Sequence, residues 1–250
     1  MTFARQVRLG PHRRLDGPSA SKSRYLLPVL LALLAGLGGC YALNARSTPP
    51  AALAGYRAAG PRDEANCLRI VLANDVSGSM RNFATARDDA LQQLFGWLKK
   101  NLRPDDQVAV IDFAAVANIR MRPTQVSTLG GLPAGVGATD GTYTYLGPVL
   151  SDIGQFPPTS CDTALLLLSD AQLIDLPTTP EAGQRLLMPR HVDRIRLLVP
   201  GAQIQVDPDW VKGFPAAVPL VFNGLDPQAT GLALGTTIVG LTGQTLTPIS

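Results

Sequence analysis

Leu68-Arg69-Ile70-Val71-Leu72-Ala73-Asn74-Asp75-Val76-Ser77-Gly78-Ser79-Met80 joins an apolar run to an oxygen-rich turn, and that join decides the fold. Leu68 to Ala73 is short, mostly aliphatic or β-branched, and halts at polar residues, which is the pattern of a parallel strand buried on both faces. From Met80 to Leu102 apolar residues recur at Phe83, Leu91, Leu94, Phe95, Leu98 and Leu102, the spacing of one helical face, and Pro104 ends the pattern. Strand, turn and helix in this order put Asp75, Ser77 and Ser79 at a strand's C-terminal end, where open α/β sheets bind ligands. A carboxylate and two hydroxyls alternating in a tight turn can converge on one hard cation such as Mg2+.

Outward from that turn the same grammar repeats. Gln107 to Phe113 reads as a second strand and Val116 to Met121 as a short third, joined too tightly for a helical crossover, so a hairpin with an antiparallel edge strand is expected. After a Gly- and Thr-rich loop from Thr124 to Asp140, Leu146, Val149, Leu150 and Ile153 recover helical spacing, with Pro148 tolerable in the first turn. Ala164-Leu165-Leu166-Leu167-Leu168-Ser169 is the cleanest buried strand and also ends in a carboxylate, Asp170. Thr179 to Met188 suggests a helix that Pro189 ends, Arg194 to Val199 a strand and Val218 to Phe222 a last strand. Trp97 fits a helix core, whereas Trp210 after Asp207-Pro208-Asp209 reads as a turn residue. The expected fold class is α/β: a doubly wound, mostly parallel sheet with helices on both faces and a short antiparallel edge strand. The tail, 224–250, fits either a loose helix or a small hairpin.

The 250 residues are 46% hydrophobic and 16% charged, enough for one well-buried domain plus an appendage. The net charge of +3 is concentrated at the N-terminus, where Arg5, Arg8, Arg13, Arg14, Lys22 and Arg24 face Asp16 alone. From Cys40 onward 16 basic residues face 18 acidic ones, so no nucleic-acid surface is expected. The basic segment runs into the uncharged stretch Leu26 to Leu37, which has the length of an export signal. It closes in Leu37-Gly38-Gly39-Cys40, which resembles the bacterial lipobox, with Cys40 as the lipidated residue. Tyr25 to Leu43 lacks charge over 19 residues, so an uncleaved signal anchor is the competing reading. Either one anchors the chain in the membrane of the cell envelope, with its bulk facing the periplasm or exterior. Residues 1–40 are thus read as export signal or anchor, 41–66 as an Ala- and Pro-rich tether, and 67–223 as the domain.

Together these segments resemble the von Willebrand factor A family, which includes integrin I domains. Asp75-Val76-Ser77-Gly78-Ser79 is similar to that family's metal-ion-dependent adhesion site, and Leu102-Arg103-Pro104-Asp105-Asp106-Gln107-Val108 to its approach to the second strand. The family adds a third hydroxyl from a Thr before a helix, which Thr144 matches in spacing, with Thr139 and Thr142 as competitors. Its last ligand is an Asp closing the fourth strand, here Asp170. Two departures stand out: Asn74 where the family is usually apolar, and Ala171 where it commonly has Gly. The resemblance implies Mg2+ or Mn2+ held by Asp75, Ser77, Ser79, Thr144 and Asp170, with one position open to an Asp or Glu carboxylate of a protein partner.

Neutral hydroxyls leave such a cation under-neutralised, which suits binding more than turnover. A metal-assisted hydrolase is the rival from another class, because Asp75 and Asp170 could hold a water-activating cation. Against it, the only histidines are His12 in the export segment and His191 far along the chain, and beside the motif only Asp140 and Asp175 recur. The chain is therefore expected not to be an enzyme, and His191 and the remaining carboxylates are read as solvated surface residues. A structural domain with a vestigial site is the blander alternative.

Cys67 and Cys161 remain once Cys40 is lipidated, and in an oxidising compartment the two should pair. Cys67 lies eight residues before Asp75 and Cys161 nine before Asp170. Level aspartates would offset the cysteines by one residue, which with strands ~4.8 Å apart and a rise of ~3.3 Å gives Cα atoms about 5.8 Å apart, a span a disulfide bridges.

Overall fold

The computed structural model describes residues 52–62, 66–135 and 143–249. The strands are β1 (Tyr56–Ala59), β2 (Leu68–Asp75), β3 (Gln107–Phe113), β4 (Ala117–Gln125), β5 (Asp162–Leu168), β6 (Arg194–Val199), β7 (Leu220–Val221) and β8 (Thr245–Pro248). The α-helices are α1 (Ala84–Asn101), α2 (Gly147–Ile153), α3 (Pro180–Leu187), α4 (Pro208–Gly213) and α5 (Pro227–Leu241). Six strands form one sheet in the order β4-β3-β2-β5-β6-β7. Every pairing is parallel except β3 with β4, the expected edge hairpin. The order reverses at β2, so chain segments leave the C-terminal ends of β2 and β5 toward opposite sides and open a crevice there.

β2 is buried at all of its positions because helices cover both faces of the sheet. Its side chains alternate between two cores with the strand period of two. Leu68, Ile70 and Leu72 meet Leu91 and Leu94 of α1 and Leu234 and Ile238 of α5, while Val71 and Ala73 meet Val149 and Leu150 of α2 and Trp210 of α4. Three helices begin with a capping oxygen followed by proline, a combination that satisfies a free N–H and presets the first turn. Thr179 accepts from Ala182 N at 3.2 Å, Asp207 from Asp209 N at 2.8 Å and Asp226 from Gln228 N at 2.8 Å.

Four segments differ from the sequence reading. The helix expected from Met80 begins as a 3-10 turn, Gly78–Phe83, and becomes α-helical at Ala84. Part of the expected tether is ordered: Leu53 is fully buried, and β1 pairs antiparallel with β8. Trp97 Nε1 donates to Tyr56 O at 2.8 Å, and Asn101 Oδ1 accepts from Ala58 N at 2.8 Å, which fastens β1 to α1. The tail is both helix and strand. α5 is apolar nearly all round, so it lies buried against α1, and its Gly235 leaves the room that the Leu53 side chain fills, since a Cβ there would overlap Leu53 Cδ1. Trp210, read as a turn residue, is fully buried in α4; its ring lies 4.9 Å from that of Phe214 and its Nε1 donates to Ala217 O at 2.8 Å.

Cys67 and Cys161 form the expected disulfide, with Cα atoms 4.5 Å apart. The spacing is shorter than anticipated because the cysteines, not the aspartates, are level: Leu68 pairs with Asp162, and at the other end Asn74 pairs with Leu168. Ser169 therefore stands beside Asp75, and Asp170 one residue beyond. Among the described residues no helix is long and apolar enough to cross a membrane. The apolar stretch ending at Cys40 lies outside them, as do His12, Thr139, Asp140 and Thr142.

Candidate metal centre

Asp75 is the last residue of β2 and has no exposed surface. Its Oδ1 accepts from Ser77 N at 2.9 Å and its Oδ2 from Ser169 Oγ at 2.6 Å. The first bond bends the chain at once into the turn that presents Ser77 and Ser79, whose Oγ atoms lie 3.1 Å apart. Val76 N donates to Phe113 O at 2.8 Å, so this turn is tied to the end of β3. Burial pushes the Asp75 carboxyl above the usual carboxylate range; hydrogen bonds from Ser169 and Ser77 oppose it, and the charge of Asp170 pushes the same way as burial.

Asp170 is almost wholly buried, and its Oδ1 accepts from Gln172 N at 3.0 Å across a tight turn. Ala171 within that turn has φ 59°, left-handed backbone, which explains why glycine suits the position. Its strain, about 1–2 kcal/mol, is offset by the buried methyl at about 0.8 kcal/mol and by the roughly 0.5–1 kcal/mol of backbone entropy that glycine would lose. Alanine is therefore tolerated. Thr144 is buried at the same end of the sheet. Its neighbour Tyr145 donates to Ala114 O at 3.1 Å and its own carbonyl accepts from Ile174 N at 3.0 Å, so it stands between the exit of β3 and the segment after Asp170.

Three supporting residues escaped the sequence reading. Ser169 holds Asp75 and, through its Oγ, accepts from Ala171 N at 3.0 Å. Asp175, noted in the sequence only as an acid near the motif, caps α2: its two oxygens accept from Leu146 N and Gly147 N, each at 2.7 Å, which fixes the chain just after Thr144. Arg87, buried one turn into α1, donates to the Asp75 carbonyl at 2.9 Å and bonds Asp88 at 3.2 Å. Asp88 also meets Arg120 at 3.4 Å, and Arg120 lies 3.8 Å from Asp112. Asn74 closes this ring by donating to Asp112 Oδ1 at 3.0 Å, which accounts for an amide in a place that is usually apolar.

A cleft of about 550 Å3 opens beside Ser79 and Asp170 and continues past Gln172, Gln205 and Asp207. Among the described residues no three His, Cys, Asp or Glu side chains cluster, so what converges here is two carboxylates with serine hydroxyls. That donor set suits a hard cation.

No protein-family model matches the chain, and no curated protein matches it in sequence. Proximal thread matrix protein 1 from the mussel byssus is 18% identical over 75% of this chain and 49% of its own, with a TM-score of 0.50. The chain shares the fold of this protein. Also similar are the ArnB paralog VWA2 from Sulfolobus acidocaldarius, 16% identical over 73% of this chain and 47% of its own with a TM-score of 0.49, and a von Willebrand factor type A protein from Catenulispora acidiphila, 18% identical over 72% and 43% with a TM-score of 0.47. The chain spans about half the length of these proteins. A further structure of the mussel protein, with a TM-score of 0.48, has a zinc-occupied metal-ion-dependent adhesion motif. In the present chain Asp75 to Ser79, Thr144 and Asp170 all lie at the C-terminal end of the parallel strands.

Proposed function

We propose that this domain binds a divalent cation, Mg2+ or Mn2+, at Asp75, Ser77, Ser79, Thr144 and Asp170, and through it the Asp or Glu carboxylate of a protein partner. The separation of the two serine hydroxyls carries the reading. Neighbouring ligands of an octahedral Mg2+ with bonds of 2.0–2.1 Å lie about 2.9 Å apart, and Ser77 Oγ and Ser79 Oγ stand 3.1 Å apart, joined by a hydrogen bond. The cation would supply the charge that offsets burial of Asp75 and Asp170. The chain's own part would be to present these oxygens at the end of the sheet, where Ser79 and Asp170 line an open cleft that a partner's carboxylate could enter.

Calorimetry on the full chain in a non-ionic detergent should give a saturable Mg2+ or Mn2+ heat that Asp75→Ala abolishes. A variant that binds both ions like the parent would show that the site lies elsewhere. The pH dependence has a definite sign. With its carboxyl raised, Asp75 stabilises the metal-free fold when neutral, a contribution present at low pH and lost as pH rises through the raised value. Protons compete with the cation, so metal affinity should fall on acidification while the metal-free protein loses nothing from this group.

We further propose that the domain is held outside the cytoplasm at the cell envelope by an N-terminal lipid on Cys40 or by an uncleaved anchor. The basic flank, the uncharged stretch and Leu37-Gly38-Gly39-Cys40 support this. Mass spectrometry of membrane-extracted protein should find an acylated N-terminal Cys40; an intact N-terminus at Met1 would establish the anchor instead.

A further inference from the structure

At the opposite end of the sheet, where β2, β5 and β6 begin, a cavity of about 470 Å3 is lined by Arg69, Phe156, Cys161, Asp162, Arg190 and Asp193, among others. Arg69 interrupts the apolar run of β2 and is 6% exposed. Its Nε donates to Gln107 Oε1 at 2.8 Å and its Nη2 to Pro157 O at 2.9 Å, both neutral acceptors. Its Nη1 meets no partner among the described residues. Burial lowers the Arg69 pKa, as expected of a guanidinium partly withdrawn from water. Arg62 shows the usual arrangement: it is similarly buried, but paired with the Asp106 carboxylate at 2.7 Å.

The carboxylates on the cavity wall do not fill that role. Asp162 lies 3.9 Å from Arg194 and accepts from Asn66 at 3.5 Å, and Asp193 accepts from Thr163 N at 2.7 Å. Arg190, whose stem lies beside Gly154 at the end of α2, adds a second cation to the cavity lining. The volume falls within the usual range for small-molecule sites, and Ile153 and Phe156 supply an apolar wall.

We propose that this basal cavity binds an oxyanion, the phosphate or carboxylate group of a small ligand, through Arg69 Nη1 and Arg190. The site is separate from the metal centre and does not depend on it. The test is calorimetry on the full chain in non-ionic detergent, free of divalent ions, titrated with sodium phosphate and with sodium acetate at an ionic strength held constant by sodium chloride. Saturable binding is expected, lost in Arg69→Gln and weakened about tenfold or more in Arg190→Gln, as removal of a charge-assisted contact requires. Tighter phosphate identifies a phosphate-bearing ligand, and tighter acetate a carboxylate-bearing one. If Arg69→Gln does not fold, Arg190→Gln alone decides. No binding of either anion above that of chloride, or parental affinity in the variants that fold, overturns the proposal.

Discussion

Asp106→Ala should destabilise the protein by about 3–5 kcal/mol, the cost of removing one partner of a buried ion pair. Asp106 is fully buried at the start of β3 and its carboxylate takes four donors. Arg62 Nη1 and Nη2 approach at 2.7 and 2.9 Å, Leu68 N at 2.7 Å and Arg103 N at 2.8 Å. Truncation strands a buried guanidinium and two backbone N–H groups at once. The same bonds join the segment before β2 to the turn before β3, so they set the register that places Asp75 against Phe113 at the far end. Urea unfolding followed by the fluorescence of the buried Trp97 and Trp210 would measure the loss. Arg62→Ala with Asp106→Ala should recover part of it, because the orphaned charge is gone. A single variant within about 1 kcal/mol of the parent, the range of an ordinary surface change, would mean that water replaces these contacts.

The parallel strands and the oxygen-rich turn after β2 were legible because each carries a local signal: a continuous apolar run, an abrupt polar stop, and hydroxyls two residues apart. The supporting residues carry none. Asp175 looks like any loop aspartate until the fold brings it to Leu146 N from 29 positions away. Ser169 could have been found by taking the cysteines rather than the aspartates as level, since that alone puts it beside Asp75. β1 and β8 are four-residue strands that pair across most of the chain, and so short a strand is defined by its partner more than by its own pattern. The tail misled for a related reason. Its Gly and Thr residues read as breaks in a helix, but inside the domain Gly235 makes room for Leu53, and the Thr230 and Thr237 hydroxyls donate to carbonyls one turn back at 2.9 and 2.8 Å.

Replacing both Cys67 and Cys161 with serine should lower stability by about 2–4 kcal/mol and leave metal binding intact. The bridge joins residues 94 positions apart. In the chain-entropy picture its removal frees a large loop in the unfolded state, at a nominal 4–5 kcal/mol that residual structure in that state reduces. In the folded state the loss is smaller, because the β2–β5 ladder from Leu68 to Asn74 and the bond from Asp162 N to Cys67 O at 3.0 Å already hold the two strands in register. Asp75 lies eight residues along the chain from Cys67, roughly 26 Å at the rise of an extended strand, so the proposed cation site should not sense the change. Two measurements separate the claims. Thiol labelling in denaturant without reductant should find no free Cys67 or Cys161; two reactive thiols would count against both the bridge and the proposed oxidising compartment. Mg2+ calorimetry on the serine variant should match the parent, and a large loss of affinity would mean that the disulfide, not the backbone ladder, holds Asp75 and Asp170 in place.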